Sequence, residues 1–358
     1  MATRTVASSA GRAGTARPEA SISFDWTMTG LSGIFLGGLF IDGWAHTHGR
    51  VDDTFFTPWH AVLYSGYLLV AAYLVAHLVR NHRLGWPWLE ALPPGYDWSW
   101  VGVLLWIPGG LADLLWHEIF GFDGGAEALF SPPHLILAVG IGLVVSGPLR
   151  SAWSRDDFEA GGWIRQGPAL LSLAFLLSVF TFFTHIAHPL AKLWAAEGVR
   201  AYADAGSVEP EFGTTGLLFE ATILMGVVLT AVRRWVLPVG ALTLIIGLSS
   251  ALTGAVYNYG GYPVGPVLTL VGAGVLSDLL LWWLRPSPRL GLRFRLFAFG
   301  VPAIYHLLYF LGLAFQGGIR WSVHLWMGSL LLTGIAGWLL SFVAVPPAGP
   351  RRRVSPNP

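Results

Sequence analysis

The stretch Trp26–Ala45, WTMTGLSGIFLGGLFIDGWA, is twenty residues long and carries a single charged side chain, that of Asp42. About 20 predominantly apolar residues in a helix are enough to cross the hydrocarbon core of a bilayer. A charged group at membrane depth is costly and usually has a role. The stretch therefore predicts a membrane-spanning helix that carries a functional carboxylate near one end.

Similar apolar runs recur along the whole chain of 358 residues, of which 54% are hydrophobic and 11% charged. A typical soluble domain has about 25% charged residues. We therefore predict an all-α, polytopic transmembrane helical bundle of about ten spans. The predicted spans lie near residues 26–45, 58–79, 99–118, 132–149, 167–188, 214–232, 235–255, 264–284, 296–315 and 321–344.

Basic residues are distributed unevenly between the two sets of alternating loops. Only four of the 21 lysines and arginines (Arg50, Lys192, Arg200 and Arg320) fall in one set, and the other seventeen fall in the other set and the tails. Loops rich in Lys and Arg stay in the cytoplasm. This predicts a multi-pass protein of the plasma membrane with both termini in the cytoplasm, which requires an even number of spans.

A chemical motif stands at the outer end of the first predicted helix. Asp42 and His46 are four residues apart and therefore share one face of a helix. After a short loop, Thr57-Pro58-Trp59-His60 begins the next helix, with Thr57 as the expected N-cap and Pro58 in the first turn. His60 should then lie at the same depth as the Asp42–His46 pair.

The same motif occurs a second time in matched register. Asp113 and His117 stand 71 positions after their counterparts in the first copy. Ser131 and His134, which flank a Pro-Pro pair, stand 74 positions after theirs, so that the second loop is three residues longer. A fixed period of this kind is the signature of an internal repeat, here of a two-helix unit.

Each copy offers two imidazoles and one carboxylate, a set that leaves coordination positions open for water or substrate. These ligand types suit copper, zinc or iron. The chain has no cysteine, which excludes thiolate sites and iron–sulfur clusters. The alternative is a pair of buried hydrogen-bonded Asp–His contacts that conduct protons without a metal. The predicted ligands are Asp42, His46, His60, Asp113, His117 and His134.

These elements divide the chain into four parts. Residues 1–22 are predicted to be a disordered cytoplasmic tail, and residues 346–358 a disordered basic tail. Residues 23–190 form the predicted metal-binding helical unit, with the repeat at 26–79 and 99–149. Residues 191–345 form a second helical half. The net charge of +1 gives no indication of a nucleic-acid partner, so the lipid bilayer is the one partner that composition predicts.

Residues 53–60, Asp-Thr-Phe-Phe-Thr-Pro-Trp-His, resemble the Asp-Thr-x-Phe-Thr-Pro-x-His signature of the C subunit of the copper membrane monooxygenases. This family includes the particulate methane and ammonia monooxygenases. It also has an Asp-x3-His upstream of the signature, where Asp42 and His46 stand here, and a second ligand set about 70 residues downstream. The resemblance covers roughly residues 26–150, under half of the chain.

The resemblance implies two copper sites near the outer bilayer face and hydroxylation of a small apolar substrate with dioxygen. It also implies A-type and B-type partner subunits in a homo- or hetero-oligomer. One position departs from the family, because Asp113 stands where the family has Asn. The additional carboxylate favours Cu(II), Zn(II) or Fe(II) over Cu(I).

A second hypothesis is a copper or zinc transporter or sensor without oxidative chemistry. A transporter needs polar residues deeper in the membrane, and Glu220, His306 and Asp278 are the obvious ones, although Asp278 is expected to be structural. Glu220 is expected to relay protons or to pair with a His, and the alternative is simple pairing with a backbone group.

Four histidines outside the motif have open interpretations. His185 and His188, three residues apart, either complete a metal site or bind a second ion, or they are interfacial. His306 and His324 stand on opposite sides of a helical hairpin and are candidate haem ligands.

Overall fold

The computed structural model describes residues 17–50, 56–121, 129–155, 162–196, 209–257 and 264–347. Within these ranges the chain is all-helical, with eleven α-helices and no β-strand. The helices are α1 (Ile22–Thr47), α2 (Pro58–Arg83), α3 (Asp97–Phe120), α4 (Pro132–Val145), α5 (Gly147–Trp153), α6 (Gly162–Phe183), α7 (Glu209–Val232), α8 (Ala241–Val256), α9 (Val264–Leu284), α10 (Gly291–Gln316) and α11 (Val323–Ala344).

Eight of the described helices are long and apolar enough to cross a bilayer: α1, α2, α3, α6, α7, α9, α10 and α11. Helices α4 and α5 qualify only as a pair that is bent by 44°, and α8 is an apolar helix of 16 residues. The predicted all-α fold is confirmed, and these apolar helices agree with the predicted polytopic bundle.

Three predicted spans differ from the helices observed. The span predicted at 132–149 is broken after Val145, because Pro148 lacks the N–H and its ring crowds the carbonyl four residues earlier. The span predicted at 235–255 begins only at Ala241, after Pro238 and after Gly240, whose φ of +88° is not helical. The span predicted at 167–188 is shifted to Gly162–Phe183.

The predicted N-terminal tail ends before residue 22. Residues 1–16 lie outside the described residues, but Arg17 forms an ion pair with Asp97 at 2.8 Å, and α1 begins at Ile22. Residues 348–358 of the predicted C-terminal tail also lie outside the described residues.

Helices α1 and α2 cross in close contact at two glycines. A Cβ atom added to Gly38 would lie 2.7 Å from the Cα of Leu63, and one added to Gly66 would lie 2.7 Å from the Cα of Phe35. The two backbones therefore touch where these side chains are missing. This contact fixes the α1–α2 hairpin, which carries the first motif where α1 ends and α2 begins.

Helices α3 and α4 repeat this crossing in the same register. A Cβ atom on Gly109 would lie 2.8 Å from Leu137, and one on Gly140 would collide with Trp106. Gly109 and Trp106 stand 71 positions after Gly38 and Phe35, while Gly140 and Leu137 stand 74 positions after Gly66 and Leu63. The two offsets are those of the motif itself. The internal two-helix repeat therefore extends through the hairpin packing.

The glycine crossing makes a testable prediction with a neighbouring control. Gly38→Ala should destabilise the protein by about 1–3 kcal/mol, because the new methyl group overpacks the contact with Leu63. Gly37→Ala, where a Cβ atom meets nothing within 4 Å, should be neutral or stabilise the helix by about 0.5–1 kcal/mol. Thermal unfolding of both variants in detergent measures the difference, and equal midpoints would contradict the packing argument.

Helix α6 joins two hydrophobic cores. Phe175, Val179 and Phe182 pack into the core of the repeat, whereas Leu170 and Leu173 pack into the core of the second half. In that second half, Asp278 of α9 accepts hydrogen bonds from the backbone N–H groups of residues 242 and 243, at 3.1 and 2.8 Å. Asp278 thus satisfies the first turn of α8, which is the structural role expected of it.

Candidate metal centre

The first predicted ligand set comes together at the ends of α1 and α2. The Nε2 atom of His60 lies 3.5 Å from Oδ1 of Asp42, and the Nε2 atom of His46 lies 3.7 Å from Oδ2 of Asp42. One ligand atom from each residue falls within 4.8 Å of the other two. Asp42 and His60 are buried, while the side chain of His46 is 41% exposed. Access to the set is therefore through His46.

The second set repeats this geometry between α3 and α4. The Nε2 atoms of His117 and His134 lie 3.5 and 3.3 Å from Oδ1 of Asp113, and the three ligand atoms again fall within 4.8 Å of one another. Asp113 is only 3% exposed. The ring centroids of the two histidines are 5.8 Å apart, as they are in the first set.

The start of each even-numbered helix of the repeat positions its histidine. Thr57 caps α2 by accepting a hydrogen bond from the backbone N–H of His60 at 3.1 Å, and Ser131 caps α4 by accepting one from His134 at 3.4 Å. The prolines that follow the caps occupy first-turn positions where a missing N–H costs nothing. Each histidine is therefore held in the first turn, at the level of the carboxylate.

One oxygen in each set is left without a hydrogen bond. Oδ1 of Asp42 and Oδ1 of Asp113 are buried and have no hydrogen-bond partner among the described residues. A buried carboxylate oxygen of this kind is costly unless it is paired or coordinates a metal. Two atoms bound at about 2.1 Å to one tetrahedral ion are about 3.4 Å apart. The observed separations of 3.3 to 3.5 Å from Oδ1 to Nε2 match that spacing.

The tautomer of His117 supports an ion in the second set. Its Nδ1 atom lies 3.2 Å from the carbonyl oxygen of Gly121, which can only accept a hydrogen bond. Nδ1 therefore carries the proton of the neutral ring, and Nε2 directs its lone pair toward Asp113. A lone pair that faces a carboxylate oxygen needs a cation between the two atoms, which is either a metal ion or a second ring proton. The carbonyl contact is the outer-shell partner that metal-bound histidines usually have.

The two sets are close enough to interact electrostatically. Asp42 and Asp113 repel each other, and both act on Tyr64. Tyr64 follows His60 by one turn, with ring centroids 6.4 Å apart. Its hydroxyl lies beside α3, where a Cβ atom added to Gly110 would be 2.7 Å away. Tyr64 therefore stands between the sets, a position that helical spacing from His60 could have suggested.

The other predicted polar residues have different environments. The Nε2 atom of His188 lies 3.3 Å from the Oε2 atom of Glu220, and both residues are buried. Glu220 thus pairs with a histidine, as one of its predicted interpretations had it. His185 stacks on Tyr257 with centroids 4.9 Å apart. Neither His185 nor His188 joins one of the two ligand sets.

The histidine pair considered as haem ligands is not brought together. His306 is fully buried, and it stands ten residues, about 15 Å, before the end of α10. His324 is exposed in the first turn of α11. The two rings lie at different depths, and the haem interpretation is therefore wrong.

No protein-family model matches this chain, and comparisons with curated proteins and with solved structures find no match either. The resemblance to the copper membrane monooxygenases thus stays a prediction that rests on the residues quoted for it. The geometry of the two ligand sets stands independently of that resemblance.

The hydroxyl of Ser131 makes a second testable prediction. It caps α4 and lies 2.9 Å from Nδ1 of His134, which it can orient. Ser131→Ala should weaken metal binding about 10–100-fold, as loss of an outer-shell partner does. Ser131→Thr, which restores the residue of the first copy, should bind as the wild type does. Competition titration with a chelator of known affinity measures both variants, and equal affinities for Ala and Thr would contradict this role.

Proposed function

We propose that this chain is an integral membrane protein that binds two metal ions, one in each copy of its internal repeat. The observation that carries the proposal is that both copies place a buried carboxylate beside two imidazole nitrogens, with one carboxylate oxygen that has no hydrogen-bond partner among the described residues. A structural need would not be expected to produce the same arrangement twice in register. The ligands are Asp42, His46 and His60 in one site, and Asp113, His117 and His134 in the other.

The topology we propose has ten spans, with the α4–α5 pair as one bent span and α8 as a short one. Seventeen of 21 basic residues then lie on the cytoplasmic side with both termini. Both metal sites face the extracytoplasmic side of the plasma membrane. The loops that adjoin the sites contain one basic residue, Arg50, and a cation approaching from outside therefore meets little opposing charge.

The chemistry we propose is copper-dependent oxidation of a small apolar substrate with dioxygen, as in the family that the chain resembles. Three protein ligands leave positions open at each ion, as catalytic metal sites do. Leu111, Leu115 and Ile119 of α3 are exposed on the helix face opposite Asp113 and His117, an apolar face that suits contact with the lipid from which an apolar substrate would come. A-type and B-type monooxygenase subunits are the partners that this proposal implies.

Metal analysis of the purified full-length protein, expressed with copper, zinc and iron in excess, tests the first part of the proposal. We expect about two ions per chain, with copper preferred. A content below about 0.2 ion per chain after reconstitution would overturn it, because three-ligand sites of this kind bind tightly at neutral pH.

Oxygen uptake tests the second part. With a reductant and a small alkane or ammonia as substrate, metal-loaded protein should consume oxygen, and the six-ligand Ala variant should not. Two bound ions without oxygen uptake, together with metal flux into vesicles, would instead favour the copper or zinc transporter.

A further inference from the structure

A second cluster of buried polar side chains lies outside the repeat. It is formed by Glu220 of α7, His306 of α10 and His188, which follows the end of α6. Their exposed fractions are 3%, 0% and 3%. The Nε2 atom of His188 lies 3.3 Å from the Oε2 atom of Glu220, and His306 interacts electrostatically with both. Three separate elements thus bring titratable groups into one buried region, where His188 and Glu220 are in direct contact.

Local packing holds these groups in place. Gly216, one turn before Glu220, lets α7 approach the carbonyl of Ala187, with which any Cβ atom would collide. Tyr309, three residues after His306, donates a hydrogen bond to the carbonyl of Pro189 at 3.2 Å. The 187–189 segment is therefore fixed between α7 and α10, against the faces that carry Glu220 and His306.

The hydrogen bonds of the two rings define opposite tautomers. Nδ1 of His188 accepts a hydrogen bond from the backbone N–H of Leu190 at 3.1 Å, so the ring proton is on Nε2 and points to Glu220. Nδ1 of His306 lies 2.9 Å from the carbonyl oxygen of Pro302 and must donate to it. Nε2 of His306 therefore carries a lone pair, and this buried atom has no hydrogen-bond partner among the described residues.

The cluster lacks one proton by this count. With Glu220 ionised and both rings neutral, it would hold an uncompensated negative charge and a buried nitrogen without a donor, and each is costly. A single additional proton on Glu220 or on His306 cancels the negative charge of the cluster. A metal ion fits less well, because the backbone N–H of Leu190 keeps the ring proton of His188 on the nitrogen that faces Glu220. In the described part of the chain, only the two ligand sets of the repeat bring three ligand atoms within 4.8 Å of one another.

We propose that His188, Glu220 and His306 form a buried proton-binding site, in which one exchangeable proton resides on Glu220 or on His306. Glu220 stands eleven residues, about 16 Å, along α7, which places the site within the membrane. The other titratable groups nearby are His185, Lys192 and Tyr309. Burial lowers the pKa of His185 to about 4, so its ring is neutral at neutral pH and adds no charge that would repel the proton.

Infrared spectroscopy of the full-length protein, labelled with 13C in its glutamate carboxyl groups, tests the site. An exposed Glu is ionised at about pH 7. We expect a glutamic-acid C=O band at this pH that shifts in D2O and is lost in Glu220→Gln. Glu211→Gln, at the exposed start of the same helix, should retain it. If the proton rests on His306 instead, 15N spectra of His-labelled protein should show one imidazolium that is missing in His306→Gln.

The wild-type spectra alone keep the proposal falsifiable if a variant does not fold. Observation of ionised Glu220 together with neutral His306 at about pH 7 would overturn it. A variant that lacks all six ligands of the two sets should bind no metal ion. If it did bind one, and if Glu220→Gln removed that ion, the proposal would also be overturned. Neither result depends on whether the two ligand sets of the repeat bind metal.

Discussion

Asp42→Ala and Asp113→Ala should each lower the bound metal from two ions per chain to one, and the double variant should bind none. In each site the carboxylate is the charged ligand that lies between the two imidazoles. Its removal leaves two neutral nitrogen ligands, and two ligands do not hold a borderline cation against chelators or water. We expect the affinity of the altered site to fall at least about a hundredfold, which exceeds the loss expected from an outer-shell variant.

Metal content by mass spectrometry of the purified full chain gives the stoichiometry, and X-ray absorption of each single variant gives the ligands of the ion that remains. His324→Ala serves as the control, because this histidine is exposed in the first turn of α11 and belongs to neither set. Loss of both ions on a single substitution would mean that the sets cooperate as one site. Retention of two ions in the double variant would contradict the assigned ligands.

Much of the ligand geometry could be predicted from the sequence, because it depends on local rules. The spacing of Asp42 and His46 fixes a shared helix face, and Thr57 with Pro58 fixes where the next helix starts. The 71- and 74-residue offsets then carry the same geometry to the second copy. The glycine crossings at Gly38 and Gly66 were not predicted, although the same offsets relate them to their counterparts.

The proton-binding cluster could not be assembled from the sequence. His188, Glu220 and His306 come from three elements separated by 32 and 86 positions, with no period or motif that links them. Sequence reasoning could only place each one in or near an apolar run. Their meeting depends on helix–helix packing, such as the approach of α7 at Gly216, which no local rule describes. The broken span after Val145 was missed for another reason, since apolar composition continues across the bend.

Asp113→Asn should change the stability of the protein in opposite directions with and without metal. In a chelating buffer the variant should unfold at a higher temperature than the wild type. The wild-type carboxylate is 3% exposed, and its Oδ1 atom has no hydrogen-bond partner among the described residues. Replacing it with a neutral amide of the same shape relieves a desolvation cost of about 1–3 kcal/mol.

With metal in excess the order should reverse. An ion that binds only the folded state stabilises it by about 2.7 kcal/mol at a hundredfold excess over the dissociation constant. The Asn variant loses the charged ligand of the second site and, with it, most of the stabilisation that the ion bound there provides. Asp97→Asn is the matched control, because Asp97 is also a helix aspartate but is paired with Arg17 at 2.8 Å. It should lower the unfolding midpoint slightly, and equally in both buffers.

The reversal separates a metal site from a hydrogen-bonded Asp–His pair. If Asp113 served only to accept hydrogen bonds from His117 and His134, Asp113→Asn would weaken those hydrogen bonds whether or not metal is present, because the amide oxygen is an uncharged acceptor. The variant would then be less stable by the same amount in both buffers. That result would contradict the proposed ion. Hydrogen bonding alone would not make the variant more stable than the wild type in chelator and less stable in metal. The Nδ1 contact of His117 with the carbonyl of Gly121 favours the crossing, because a neutral ring that donates from Nδ1 has no proton on Nε2 to donate.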